Sequence, residues 1–374
     1  MARQVPAVGA RPSKIFVRLP SWVGDVVMCT PALRAIGAAF PEAEVVVEGK
    51  DYQADLVVGL PGVDRFLVDP GRAAGDLFGH GRTLAKERFD WAIVLGESER
   101  VAFPPFVARI PVRAGYGRGL ARRAMLTHYM ERPRDVGGKL LAFSMIERYL
   151  RVTRMLGIPD DGTYMQTPVT DEAKRTIDER LAEAGVEADA KLVTVVAGAA
   201  FGAAKMWPPA QFAAACDLLR KRQGWTPVLA PGPGEEDLGR EVARHSKHGI
   251  TLLLDPALRL SQLAALLQRS ELVLSNDTGP RSMAVALGLP VVVPVGPTED
   301  AHTRHHLHRQ RVLIEDVDCR PCRLRVCPID HRCMTRITPE RVVAAAEELA
   351  DAVGTGPRPM GPKRETEHAT GGRA

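Results

Sequence analysis

Short apolar runs separated by amphipathic stretches repeat along this chain in a strand–helix rhythm. KIFVRL at 14–19 predicts a buried strand, followed by a loop at 20–25 and a helix over 26–39. EVVVE at 44–48 and DWAIVL at 90–95 predict two more strands. The rhythm restarts at KLVTVVA (191–197) and continues with helix 209–222, strand 226–230 and helix 235–246. Strand 250–254, helix 260–268, strand 271–275, helix 280–288 and strand 290–295 complete the series. Apolar strands alternating with helices imply parallel sheets joined by crossover helices. Two successive series predict an α/β fold: two doubly wound, Rossmann-like domains facing a cleft. The turn-rich GIPDDGTYMQTPVTDE at 157–172 separates an N-terminal domain (14–165) from a C-terminal one (166–353). Thr338, Pro339 and Glu340 open a terminal helix over 338–353. Residues 1–13 and the Gly-, Pro- and charge-rich segment 354–374 are expected to be disordered.

A length of 374 residues suits two domains, and 45% hydrophobic content supplies their cores. No apolar run approaches the ~20 residues of a membrane span. Arg18 and Asp25 interrupt the apolar stretch after Lys14, so no secretory signal is read and a cytoplasmic location is expected. The net charge of +5 matters less than its placement. Between Arg109 and Arg134 lie seven arginines (109, 113, 118, 122, 123, 132, 134) and one acid, Glu131. Ordinary surfaces intersperse both signs, so the cluster reads as a dock for a polyanion rather than a solvated basic face. Only Tyr116 and Tyr129 offer aromatic surface there, which argues against nucleic acid.

Three loops at the carboxyl ends of predicted strands carry the candidate chemistry, because open α/β sheets bind ligands at that edge. Gly198 to Pro209 (GAAFGAAKMWPP) leads from a strand into a helix. Its glycines admit an anion to the main chain, Lys205 adds a movable charge, and Pro208-Pro209 suits a helix start. An ordinary connection with an exposed lysine would look similar. Pro20 to Asp25 has too few glycines for a dinucleotide fingerprint. It places Asp25 at a helix start, either as a dipole-compensating charge or as a general base. Ser275 to Ser282 offers Asn276, Asp277 and Thr278 as capping residues, Pro280 in the first turn, and further N–H donors for a diphosphate.

Together these segments resemble the bacterial lipopolysaccharide heptosyltransferases, which have the GT-B fold. The matching stretches are SWVGDVVMCTPALRAI (21–36), GAAFGAAKMWP (198–208) and NDTGPRSMAVALGLPVV (276–292), with a weaker match at RIPVRAGYGRGLARR (109–123). The resemblance implies inverting transfer of a heptose from ADP-heptose to the inner core of lipopolysaccharide. Asp25 then resembles the general base and Lys205 the phosphate-neutralising lysine. Asp277, Thr278 and Gly279 look like the loop that holds the sugar and diphosphate, with Gly198 and Gly202 lining the donor side. An acid on the ribose falls on Glu235 or Glu236, which counting does not separate. Ser282 departs from the family, whose members often carry histidine there, and Arg281 is a candidate substitute. The implied partners are ADP-heptose and a lipid A–core acceptor at the inner membrane surface, with peripheral membrane association. Arg113, Arg118 and Arg122, in the first domain, are assigned to the acceptor. No DxD-like metal requirement is evident, so no cofactor is expected in the chemistry.

Cysteines give a separate signal. Cys29 and Cys216 fall on apolar helix faces. Cys319, Cys322, Cys327 and Cys333 have the spacing CxxCx4Cx5C, with His331 among them. In a reducing compartment that pattern suggests a zinc or iron–sulfur site, or else free thiols in a loop. The histidine-rich stretch His302 to His308 reads as a polar loop. Two rival readings of the whole chain stay open: another GT-B glycosyltransferase or nucleotide-sugar epimerase, and a non-catalytic metal-binding sensor on this fold.

Overall fold

The computed structural model describes residues 11–71, 76–134, 136–138, 140–358 and 361. The first sheet holds β1 (Lys14–Arg18), β2 (Glu44–Gly49), β3 (Arg65–Val68), β4 (Trp91–Val94), β5 (Val112–Tyr116) and β6 (His128–Met130). Its order is β3-β2-β1-β4-β5-β6, and every pairing is parallel. The crossovers carry α1 (Val23–Ala39), α2 (Ala54–Val57), α3 (Leu77–Glu87), α4 (Glu99–Val107) and α5 (Gly119–Met125). Then α6 (Met145–Met155) returns to pack on α1. The second sheet repeats the plan. It is built from β7 (Leu192–Val196), β8 (Thr226–Leu229), β9 (Thr251–Leu252), β10 (Ser270–Ser275), β11 (Val291–Pro294) and β12 (Gln310–Leu313). The order β12-β11-β10-β7-β8-β9 is that of the first sheet read backwards, again all parallel. Its helices are α7 (Asp171–Glu183), α8 (Pro209–Gln223), α9 (Glu236–His245), α10 (Leu260–Gln268), α11 (Gly279–Ala286), α12 (Arg332–Thr335) and α13 (Pro339–Val353).

The central strands β1, β4, β7, β10 and β11 are buried almost throughout, which is why their middle positions are apolar. Helix α1 buries Val26 through Ile36 because one face meets its own sheet and another meets the second half of the molecule. The halves join where α1 approaches α11: a Cβ on Gly24 would lie 3.5 Å from the Gly279 Cα. At a second contact Asp55 accepts hydrogen bonds from Ser261 N (3.2 Å) and Arg259 Nη2 (3.0 Å). The carboxyl edges of both sheets therefore face one cleft.

Of the two end segments expected to be disordered, residues 11–13 and 354–358 are among those described. Ser13 N donates to Asp90 Oδ2 at 2.7 Å and Pro12 is buried. Beyond α13, Gly356 N donates to Glu271 O at 2.8 Å, and Gly356 O accepts from Arg309 Nη2 at 3.2 Å. A few backbone bonds to rigid neighbours order these polar residues. Residues 1–10 and 362–374 lie outside the described residues. No described helix is long and apolar enough to cross a membrane.

Candidate active site

A cavity of about 480 Å³ fills the cleft, with Asp25 from the first half and Lys205, Glu235, Thr278 and Ser282 from the second among its lining residues. The segment before α1 delivers Asp25. Pro20 and Ser21 follow β1, Trp22 is the N-cap, and Asp25 falls in the first helical turn. Protein surrounds the carboxylate, which keeps only part of its surface toward the cavity. Burial raises its pKa to about 6, against the opposing charges of Arg148 and Lys205. An acid so placed is a carboxylate at neutral pH and able to take a proton.

On the other wall, Asn276 locks two donor-side loops together. Its Oδ1 accepts from Trp207 N at 3.0 Å and its Nδ2 donates to Ala197 O at 2.6 Å. The next residue, Asp277, receives Lys205 Nζ at 2.8 Å on Oδ2 and Arg281 Nη1 at 2.8 Å on Oδ1. Burial alone would raise Asp277; the cations Arg281 and Lys205 overcome it and bring the carboxyl down to about 2. Sequence reading placed Asn276 and Asp277 as helix caps, but both side chains instead tie loops together. Thr278 is the N-cap of α11, and its hydroxyl makes no capping bond. Arg281 is 2% exposed and held by Gln310 Oε1 (2.8 Å) and Thr303 Oγ1 (3.0 Å) as well as Asp277. It positions Asp277, leaving Ser282 as the polar side chain of that turn in the cavity lining.

Of the two candidate acids after β8, Glu235 faces the cavity and Glu236 bonds outward to Gly234 N. The Glu235 carboxylate rests on Gly198, where an added Cβ would lie 1.9 Å from Oε2, and accepts from Gly232 N at 3.1 Å. Gly202 is required for another reason. Its φ of +148° and an Arg325 carbonyl 2.5 Å from its would-be Cβ admit no side chain.

That carbonyl belongs to the cysteine-rich segment, for which a metal site is one of two readings of the spacing. Among the described residues no group of three or more His, Cys, Asp or Glu side chains is arranged to hold a metal ion, and all six cysteines are free. The segment braces the lysine loop. Ala204 N donates to Arg325 O (3.0 Å), Arg325 Nε donates to Phe201 O (2.7 Å), and His331 Nε2 lies 2.8 Å from Ala204 O.

The arginine cluster divides. Arg122 is fully buried, its Nε and Nη2 donating to Tyr116 O and Gly96 O (both 2.6 Å) and its Nη1 to Ser98 O. Arg113 is half-buried and spends its guanidinium on Met125 O and Ile110 O. Neither presents charge to the cleft, which corrects their assignment to the acceptor. Arg118 is exposed. It lines a groove of about 310 Å³ with Arg123, Arg132 and Arg134, members of the cluster read as a polyanion dock. Arg123 pairs with Glu131, and Arg132 with Glu97. Glu97 also takes Arg148 Nη1 at 3.1 Å, so the groove connects through two side chains to the charge acting on Asp25. Arg148, 6% exposed on α6, is the residue most clearly missed. The signal was present: it stands four residues before Val152 on the buried stripe of an amphipathic helix.

Two parallel Rossmann sheets with ligand loops at facing carboxyl edges define a two-domain α/β transferase of GT-B architecture. Residues 77–332 match glycosyltransferase family 9 (heptosyltransferase), and the chain belongs to that family. Lipooligosaccharide heptosyltransferase 2 of Haemophilus ducreyi is 28% identical over 90% of this chain and 99% of its own length. Lipopolysaccharide heptosyltransferase 2 of Salmonella typhimurium is 27% identical over 91% and 99%. The solved structure of E. coli ADP-heptose lipopolysaccharide heptosyltransferase II superposes with a TM-score of 0.73. It is 26% identical and covers 90% of this chain and 98% of that one.

Proposed function

We propose that this protein transfers a heptose, with inversion, from ADP-heptose to a hydroxyl on the inner core of lipopolysaccharide. The observation that carries the reading is that Asp25 and Lys205, from opposite halves, line one cavity. The residues before about 165 receive the acceptor, and 166–353 hold the nucleotide sugar. The diphosphate lies against Lys205 and the N-terminus of α11, whose dipole favours negative charge. Glu235 reaches the ribose. The acceptor oxygen attacks the anomeric carbon as the bond from that carbon to the diphosphate breaks. Its proton passes to Asp25, and ADP leaves with the negative charge. Lys205 and the α11 N–H groups act most strongly as that charge grows, which is where binding lowers the barrier. Asp277 and Arg281 hold Lys205 in place. The Arg118 groove meets anionic groups of the acceptor, which resides in a membrane leaflet.

The test is transfer from a panel of nucleotide sugars onto defined truncated cores. Heptose transfer from ADP-heptose alone supports the reading. Preference for another sugar nucleotide, or epimerisation of the free donor without transfer, would point to the rival enzyme classes.

A further inference from the structure

Trp22 breaks two local rules at once. It is the N-cap of α1, a position that favours Ser, Thr, Asp or Asn because a short side-chain oxygen accepts a first-turn N–H, and its side chain makes no capping bond. The residue is also 54% exposed, whereas Trp91, Trp207 and Trp225 are 4%, 1% and 4% exposed. A lone exposed aromatic on a convex surface needs no explanation, but this one lines the cleft cavity. Its main chain is held from both sides. Gln53, 1% exposed, donates through Nε2 to Pro20 O (2.9 Å) and Ser21 O (3.2 Å), and Tyr52 Oη donates to Ser21 O at 3.3 Å. On the other side Val23 meets α11, where a Cβ on Gly279 would lie 2.6 Å from the Val23 Cβ. A fixed backbone therefore carries an apolar ring that folding does not bury. Local rules broken without a structural return mark functional positions.

We infer that the Trp22 indole is the platform for the acceptor sugar, whose apolar ring face stacks on it while the attacking hydroxyl points to Asp25. Asp25 is the third residue of α1, and at a helix start the N-cap side chain lies beside that position. A sugar that gives its proton to Asp25 is thus brought within reach of the indole. One face of a pyranose presents mainly C–H groups, and indole offers a large rigid surface to it at little cost in side-chain entropy. Tyr52, 41% exposed, adds a second ring to the same lining. Both aromatics belong to the first half of the molecule, opposite Lys205, which places them on the acceptor rather than on the diphosphate. Stacking fixes the tilt of the sugar, and the tilt decides which hydroxyl reaches the base, so Trp22 determines the position of the linkage. The inference rests on the proposed function for the identity of the sugar, but stacking requires no turnover.

The experiment uses the full chain, a defined truncated core saccharide, and acrylamide as a neutral quencher of tryptophan fluorescence. Because Trp91, Trp207 and Trp225 are buried, quenching reports on Trp22. The saccharide should protect the indole with no donor present, and ADP should not. Trp22→Ser supplies a favoured N-cap, so its melting temperature should match or exceed that of wild type. Its acceptor KM should nevertheless rise about ten-fold, with kcat and ADP affinity near wild type, as expected for a contact made equally in ground and transition states. Trp22→Phe keeps an aromatic face and should stay within about three-fold of wild type. An unchanged acceptor KM in Trp22→Ser would overturn the inference, as would protection by ADP-heptose instead of by the saccharide. A lowered melting temperature in Trp22→Ser would also overturn it, by returning the indole to structural packing. Protection by the saccharide without heptose transfer would support the platform and count against the proposed function alone.

Discussion

Lys205 Nζ lies 2.8 Å from Asp277 Oδ2 and 3.2 Å from the Asp277 carbonyl oxygen. The lysine is therefore aimed before any donor arrives, and its counter-ion is itself held by Arg281. Preorganised charge costs little reorganisation when the leaving diphosphate develops. Lys205→Ala should weaken ADP binding and lower kcat further, since the lysine meets charge present in the ground state and charge that grows later. Calorimetry with ADP and steady-state transfer measure the two losses. A variant with weaker binding and unchanged kcat would confine Lys205 to holding the donor.

Asp25→Asn should abolish transfer, by about 10²–10⁴-fold, while leaving ADP affinity near normal. In the free enzyme kcat/KM should fall below about pH 6, where Asp25 takes up a proton. The same shift carries a stability cost. Between the unfolded value near 4 and the folded value of about 6 the native state holds the extra proton, so stability falls as pH rises through that window. Removing the ionisable group should recover at most about 3 kcal/mol at pH 7–8, read from denaturant midpoints. Arg148 opposes the shift, so Arg148→Met should move the acid limb above pH 6. An unmoved limb would detach Arg148 from Asp25.

How far the sequence discloses this molecule depends on what each residue must satisfy. Strands buried on both faces, such as Leu192–Val196, announce themselves. His128–Met130 is three half-buried residues, and Gln310–Leu313 opens on a polar residue, so neither contrasts with a loop. Asp25, Lys205 and Asp277 were legible because chain order places them at strand ends. Their bonding was not: Asp277 as the partner of Lys205 depends on two loops 72 positions apart. Arg148 and Glu97 act from helix and loop positions whose chemistry only packing creates.

Ser282 should resist change to histidine, although family resemblance puts histidine at this position. The side chain is 4% exposed, and its Oγ lies 3.3 Å from where a Cβ on Gly24 would stand. An imidazole there would press on the start of α1 and on the packing that seats Asp25. Ser282→His is expected to lower kcat at least ten-fold, with Ser282→Ala much milder. If Ser282→His instead raises kcat, the space beside Gly24 opens when substrate binds.

Arg118 and Arg122 stand four residues apart and should fail in opposite ways. Arg122 closes three main-chain carbonyls, those of Gly96, Ser98 and Tyr116, at the ends of two strands and the start of α4. Burial pulls its guanidinium down to about 10, so it is still charged at neutral pH. Arg122→Ala strands those carbonyls in a dry interior and should cost about 3–5 kcal/mol of stability. The soluble fraction that remains should keep its acceptor KM. Arg118 is exposed, and Arg118→Ala should leave the melting temperature within a degree or two, since solvated charges contribute little to stability. It should raise the acceptor KM and flatten its salt dependence without changing the donor KM, because the groove belongs to the first half of the molecule. Thermal melts beside two-substrate kinetics separate the pair. A stable Arg122→Ala with a raised acceptor KM would return that arginine to the binding face.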